Sequence, residues 1–503
     1  MFEDKYRWLE DKDSKKCQNW IEEENKKTKE YFNNIDEYDL IKKRIKELMN
    51  FKEYSFPKIK NNKYYYFKRK GLMNQPKLYE LDGKNEKEII DPNSFSDDGT
   101  VAITNYFPDN SGRYIAYTRA ESGSDRQEIY IYDMENKEEI KEKIKWLRFS
   151  TIAWKNNSSG FYYNRFPEPK KVKKEDENNY SKIYWHKLGT SQDEDKLIYE
   201  DKNNKKLNFH PILSENEKYL ILNVTKGTAS ENGIYYRETE GKEEFKKLFK
   251  VMDAEYNFIG NKDSIFYFKT NKDANNAKII SVDIDEVKNN KLKNYINNEI
   301  EYISDVIAER ETILKEAKLI NDKIFAVYLV DASHQIKIFN LKGNIVNEFK
   351  DDMPLTIDQL SYSSESNEAV FVIQSFLKVP TIYSYDAQNN YFKKIKEPNY
   401  DFDFDKYKTE QYFYKSKDNT KIPMYISSNK NMKKDGKNAA ILYGYGGFDI
   451  SLTPTFSPTT LFWLERGGFY ALANIRGGGE YGSEWHKAGM LEKKQNVFDD
   501  FIA

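Results

Sequence analysis

One pattern constrains the fold of this chain more than any other. Six segments join a polar turn to an apolar run: "PDNSGRYIAYT", "KNNSSGFYYNR", "SENEKYLILNV", "GNKDSIFYFKT", "INDKIFAVYLV" and "SESNEAVFVIQ". The apolar runs begin near Tyr114, Phe161, Tyr219, Ile265, Ile324 and Ala369, about fifty residues apart. That period suits the four-stranded blades of a β-propeller. A second strand type follows in most units: "QEIYIYDM", "SKIYWHKL", "AKIISVDI", "HQIKIFNL" and "PTIYSYDA". Such strands are expected to close a blade, with a hydrophilic turn after them. "KYYYFKRKGLMNQPKLYELDG", from Lys63, adds a unit at the start, so about seven blades are expected between residues 55 and 400. A β-sandwich array would have to produce six similar units at one period by accident, so the propeller is preferred. "EPKKVKKEDENNYSK" reads as a charged insertion, expected as a mobile surface loop.

Composition agrees with a β-rich, multidomain chain. Its 503 residues are too many for one ordinary core. Aromatic residues make up 15%, including 39 tyrosines, which suit half-buried pleated surfaces. Lys and Arg total 81 against 82 Asp and Glu, a net charge of −1. This balance gives no electrostatic footprint for nucleic acid or an anionic membrane. The single cysteine, Cys17, excludes an intramolecular disulfide. The opening "MFEDKYRWLEDKDSKK" lacks the apolar run of a signal peptide, and no stretch is long enough to span a bilayer. A soluble protein of a reducing compartment, the cytoplasm, is expected. Four histidines and one cysteine without zinc-ligand spacing make a metal site improbable.

The flanks of the repeat have a different texture. "DSKKCQNWIEEENKKTKEYF" places Cys17, Trp20, Ile21, Thr28, Tyr31 and Phe32 near one helical face. Asp13 or Ser14 can cap that helix, because their oxygens accept the free N–H groups of its first turn. An apolar face this short needs a partner surface elsewhere. After Thr420, "KIPMYIS", "NAAILYGYGG" and "GFYALANIRGGGEYG" read as strands, the last two ending in glycines. "SEWHKAGMLEKKQNVFDDFIA" reads as helical. Buried strands ending in glycine-rich loops before helices mark an α/β sheet. The expected organisation is a helical segment over 1–52, a propeller over 53–402 and part of an α/β domain over 403–503.

Chemistry is announced at two strand ends. In "LYGYGGF", Gly444, Gly446 and Gly447 let the backbone turn sharply. Tyr445 between them can project a phenol donor toward a developing oxyanion, or can be a packing tyrosine beside a tight turn. "RGGGEYG" lacks the order of a dinucleotide or P-loop motif, and reads as a loop where backbones approach closely. Ser483, His486 and Asp499 are not expected to form a triad. Ser483 looks like a helix N-cap, and His486 follows it by three residues on one short helix. No serine in the chain has glycine at both −2 and +2, as a nucleophile elbow requires. His186, His210 and His334 fall in propeller segments and read as structural.

"YGYGGF", "NIRGGGEYG", "WH" and "FDDF" together closely resemble the prolyl oligopeptidase family of serine peptidases. "YRWLEDKDS" resembles the N-terminal segment of that family. "DPNSFSDDGTVAIT" and "SGSDRQEIYIYDM" resemble its first blades. Gly447-Phe448 after "YGYG" favours the prolyl branch over oligopeptidase B. The resemblance implies a seven-bladed propeller capping an α/β-hydrolase domain, with the N-terminal segment on the hydrolase side. It implies cleavage of short peptides after proline through an acyl-enzyme, with no cofactor, and with the propeller restricting access by size. Tyr445 then matches the oxyanion donor and Phe448 an aromatic of the proline pocket. In the family, the nucleophile elbow follows the "FDDF" segment, with the Asp and His later still. The resemblance therefore places the triad beyond Ala503, and implies a chain inactive alone that needs a C-terminal hydrolase segment. Two further readings stay open: a non-catalytic propeller binding peptides or partners, and a related oligopeptidase of the same architecture.

Overall fold

The computed structural model of the protein describes residues 4–241, 243–289, 303–363 and 365–503. Seven antiparallel sheets follow one another along the chain. Blade 1 spans Lys52–Ile90, blade 2 Val101–Leu147, blade 3 Ile152–Tyr199 and blade 4 Leu207–Ala254. Blade 5 spans Tyr256–Ile307, blade 6 Ile313–Phe349 and blade 7 Thr356–Lys396. Blades 2 to 7 are plain meanders of four strands. In blade 1 two short segments, Lys52–Tyr54 and Lys58–Lys60, share the edge of Lys63–Lys70. This is the expected propeller.

Each of the six apolar runs is the second strand of a blade, as in Tyr114–Glu121, Tyr219–Lys226 and Lys323–Val330. These strands are paired on both sides and covered on both faces, so they need continuous apolar sequence. The second strand type differs from expectation. Gln127–Asp133, Lys182–Lys187 and Ser333–Asn340 are third strands, and a fourth follows each. The fourth strands are the solvent edge. Tyr391–Lys396, for example, carries three lysines and has no buried residue, and Asn85–Ile90 exposes its first four residues.

The abundant tyrosines fill the space between blades. Tyr65, Tyr66, Tyr117, Tyr163, Tyr219, Tyr236, Tyr328 and Tyr385 are fully buried. Their rings supply apolar area while several hydroxyls reach polar partners. Tyr163 donates to Asp195 at 2.6 Å and Tyr385 to Asn390 at 2.6 Å. Blade 3 holds a buried charged network on the same Asp195. His186, fully buried, lies 2.7 Å from Asp195 and 2.9 Å from Glu142. Burial alone would lower its pKa, but the two carboxylates outweigh it and push the imidazole up to about 9.

The ring closes without a shared sheet. Blades 1 and 7 meet through Tyr54, Tyr66, Leu81, Val372 and Ile382, through the Tyr64 hydroxyl on Glu368, and through Lys396 on Glu86. The charged insertion is ordered locally, in contrast to the expected loop. It forms two 3-10 turns, Pro169–Lys171 and Lys174–Asp176, and Lys205 ties it down at 2.7 Å from Asp176.

The α/β sheet orders its strands Tyr407–Lys415, Lys421–Asn429, Phe469–Ala473 and Ala440–Gly444. The last two run parallel, with helix Pro458–Glu465 between them in sequence. Leu461 and Leu464 of this helix pack with Tyr425 and Leu472 of the sheet and with Ala332, Phe376 and Leu377 of the propeller. The N-terminal helix Lys15–Asn33 is capped by Ser14, whose oxygen accepts from Cys17 N at 3.3 Å. It buries only Cys17, and its apolar face meets the flanking segments, Trp20 on Trp8 and Phe32 on Tyr38 with ring centroids 6.3 and 5.7 Å apart. The next helix, Tyr38–Met49, does dock on the α/β side: Arg44 forks onto Glu465 at 2.6 and 2.9 Å, and Glu37 pairs with Arg466 at 2.8 Å. No described helix is long and apolar enough to cross a membrane.

Candidate functional site

The C-terminal ends of the two parallel strands lie side by side and are locked by close backbone contact. Gly446 has φ of 60°, and a Cβ there would fall 2.6 Å from Val497 and 2.8 Å from Arg476 O. Gly477 has φ of 92°, and its Cβ would fall 2.6 Å from Gly446 O. Gly489 packs on Gly477 in turn. Side chains are excluded here by both conformation and space, as expected for a close-approach loop.

Beneath the glycines sits a buried ion pair. Arg476 forks onto Asp500 at 2.6 and 2.9 Å, and the same carboxylate accepts Arg476 N at 2.9 Å. Asp500 is fully buried and Arg476 nearly so. Asp418 takes the remaining guanidinium edge at 2.5 Å. Bidentate geometry fixes position as well as charge. The clasp therefore ties the glycine loop to helix Gln495–Ile502. The sequence reading missed this pair, because its partners are 24 residues apart. The one available signal was an aspartate at a helix position otherwise set for apolar burial.

A second buried carboxyl lies in the same loop. Glu480 is 2% exposed, and its Oε1 accepts from Leu452 N at 2.9 Å. Burial raises its pKa to about 7, against the lowering effect of these hydrogen bonds and of the nearby Lys315.

Tyr445 stands just beyond the Ala440–Gly444 strand and is 43% exposed; Phe448 is 80% exposed, with φ of 54°. Neither belongs to a buried apolar cluster, and among the described residues the Tyr445 hydroxyl has no hydrogen-bond partner. After Phe448 the chain crosses the propeller face. Ser451 accepts from Lys315 of blade 6 at 3.2 Å, Pro454 O from Thr356 of blade 7 at 2.7 Å, and Phe456 N donates to Gln374 at 3.0 Å.

Ser483, His486 and Asp499 are not brought together. The N-cap of the short helix is Gly482, one residue before the position expected from the sequence. The Ser483 hydroxyl instead donates to Asn275 of blade 5 at 2.7 Å. His486 Nδ1 lies 2.8 Å from Gly477 O and 3.1 Å from Asp449 N, so it braces the glycine loop. Asp499 accepts from Gln495 at 3.0 Å. His210 sits on the first strand of blade 4 and His334 on the third strand of blade 6, where its Nδ1 accepts Ile357 N at 2.9 Å.

A propeller set against an α/β sheet with glycine-rich strand ends defines a capped hydrolase. Comparison with known proteins agrees. Residues 1–398 match the model of the prolyl oligopeptidase N-terminal β-propeller domain, and residues 454–503 match that of the prolyl oligopeptidase family. The prolyl endopeptidase of Elizabethkingia meningoseptica is 35% identical over 99% of this chain and 69% of its own length. Prolyl oligopeptidase A of Galerina marginata is 31% identical over 100% and 71%. This chain belongs to the prolyl oligopeptidase family, whose members are serine peptidases.

Among solved structures, a prolyl endopeptidase matches with a TM-score of 0.90 at 29% identity, over 100% of this chain and 73% of that one. Galerina marginata prolyl oligopeptidase B bound to a 35mer substrate matches with 0.90 at 28% identity, over 99% and 72%. The apo form of that protein matches with 0.79 over the same shares.

Proposed function

We propose that this chain forms the propeller and the oxyanion side of a prolyl oligopeptidase-like serine endopeptidase that cleaves short peptides after proline. Tyr445 donates its phenol to the developing oxyanion, and Phe448 lines the pocket for the proline ring. The propeller limits access by size, and the protein works in the cytoplasm. Residues 1–52 and 403–503 build the hydrolase side around a ring over 53–402.

The chain is inactive by itself in this reading. The nucleophile, acid and base come from hydrolase polypeptide that adds to the open edge of Ala440–Gly444. One observation carries this. Ile441, Leu442 and Tyr443 are 42, 43 and 46% exposed, on a strand that among the described residues is paired along one side only. An apolar parallel strand is ordinarily covered on both faces. Its state here supports a further strand and layer as the natural occupant.

A proline-specific chromogenic peptide tests the proposal. The 503-residue chain alone is expected to give no turnover. Co-expression with the C-terminal third of a bacterial relative is expected to restore it, and Tyr445→Phe in that complex to lower kcat about 100-fold or more. Turnover by the chain alone, or restored turnover indifferent to Tyr445→Phe, would overturn it.

A further inference from the structure

Away from the strand ends, the ring holds a separate chamber. A cavity of about 640 Å³ lies between strands of blades 7 and 1, the first strand of blade 2, Met49 and Phe51, and Phe456 and Pro458 of the α/β side. Its size is that of a small-molecule site. Neither Tyr445 nor Phe448 lines it.

Two charged side chains reach it from different blades. Lys58 of blade 1 donates to Asn105 Oδ1 at 2.8 Å and to Tyr106 O at 2.6 Å, with the Tyr106 and Phe107 rings 4.8 and 4.5 Å from its nitrogen. One of its three N–H groups is left over. Asp358 of blade 7 accepts from Gln374 Nε2. The Gln374 amide cannot turn away, because its oxygen takes the Phe456 N–H at 3.0 Å.

Among the described residues, neither Lys58 nor Asp358 has a partner of opposite charge. Burial pushes the ammonium down to about 8 and the carboxyl up, with no opposite charge contributing to either shift. Both side chains are half-buried at the cavity wall, and a charge that has lost part of its water gains from an opposite charge beside it. The remaining wall is rich in aromatic surface, including Phe51, Phe67 and Phe456. The other charged residues of the lining, Arg69 and Glu53, satisfy one another at 2.9 Å.

We propose that this chamber binds short peptides with both termini free. The peptide carboxylate pairs with Lys58, its ammonium with Asp358, and its apolar side chains pack on the phenylalanines. One zwitterion relieves both lone charges at once, which no simple anion or cation does. The site stands independently of whether the chain hydrolyses anything.

Isothermal titration of the 503-residue chain with alanyl-phenylalanine tests this. The free dipeptide is expected to bind saturably. Its N-acetyl and C-amide forms are each expected to bind about tenfold more weakly or worse, the loss of one charged contact. Lys58→Met should erase the discrimination against the amide, and Asp358→Asn that against the acetyl form. Absence of saturable binding, equal binding of the three forms, or discrimination that survives both substitutions would overturn the proposal. Should a variant fail to fold, the three dipeptides on the unaltered chain still decide.

Discussion

Blade 6 and the α/β sheet show two ways of being half of something. In blade 6, Lys323–Val330 is paired on both sides, and six consecutive residues from Ile324 to Leu329 are buried. Its partners come from its own blade and from blades 5 and 7 on either side. In the α/β sheet, Ala440–Gly444 has one pairing neighbour and shows about half of each apolar side chain to solvent. A blade is satisfied by nearest neighbours, as in repeat architectures. A parallel sheet is satisfied only when strands and covering layers from distant sequence have arrived. The two parts are therefore expected to answer differently to the same perturbation.

The largest difference should follow from removing Asp500. Asp500→Ala leaves Arg476 buried with only part of its charge answered. Breaking such a pair costs about 3–5 kcal/mol. Hydrogen exchange is expected to speed up throughout 407–503 while blades 2 to 5 keep their protection. Equal loss in the blades would mean that the two parts unfold as one unit.

Acidity should separate the parts next, through two groups with elevated folded-state pKa values. Glu480 rises from 4.5 to about 7, so the folded α/β side disfavours its charged form. It loses stability as pH climbs through that window. His186 rises from 6.5 to about 9, so its contribution to blade 3 is complete below 6.5 and disappears as pH climbs through about 9. Each shift corresponds to roughly 3 kcal/mol at its limit. Glu480→Gln is expected to flatten the lower window, and His186→Gln the upper one. Thermal melts followed from pH 4 to 10 would show whether the windows exchange or merge.

The smallest effect on stability is expected at the open edge. Leu442→Lys should shift stability by no more than about 0.5 kcal/mol, because the residue is already half in water. Self-association in sedimentation velocity should nevertheless fall, since a charge on an exposed edge blocks strand addition. A large destabilisation would mean that the strand is covered in solution.

Much of this was legible in the sequence, for reasons that differ by strand. The second strands had to be apolar throughout, so "YLILNV" and "IFAVYLV" announced themselves. The outer strands, such as Tyr391–Lys396, carry lysines toward solvent and have no distinctive run, so in the sequence the third strands look like the blade edge. Inner strands such as Thr356–Ser363 face the middle of the ring and mix polar with apolar residues, which hides them equally well. In the α/β part, the glycines declared a tight loop because nothing else fits there. Arg476 and Asp500 did not declare one another, since a charge pair across 24 residues leaves no periodic trace. The offset at Ser483 arose because Gly482, with φ of 83°, takes the capping position and frees the hydroxyl for Asn275.

The stacked glycines have a consequence for how accurately Tyr445 can be placed. Most groups in a protein are located through side chains, which can change rotamer and absorb a displacement. Here main chain rests on main chain where Gly477 meets Gly446 and Gly489, so no such adjustment exists at those two contacts. The stack acts as a machined seat rather than a cushion. The last helix reaches the stack through the Val497 side chain at Gly446, and a single added methyl group at any of the three glycines would displace the backbone that carries the tyrosine.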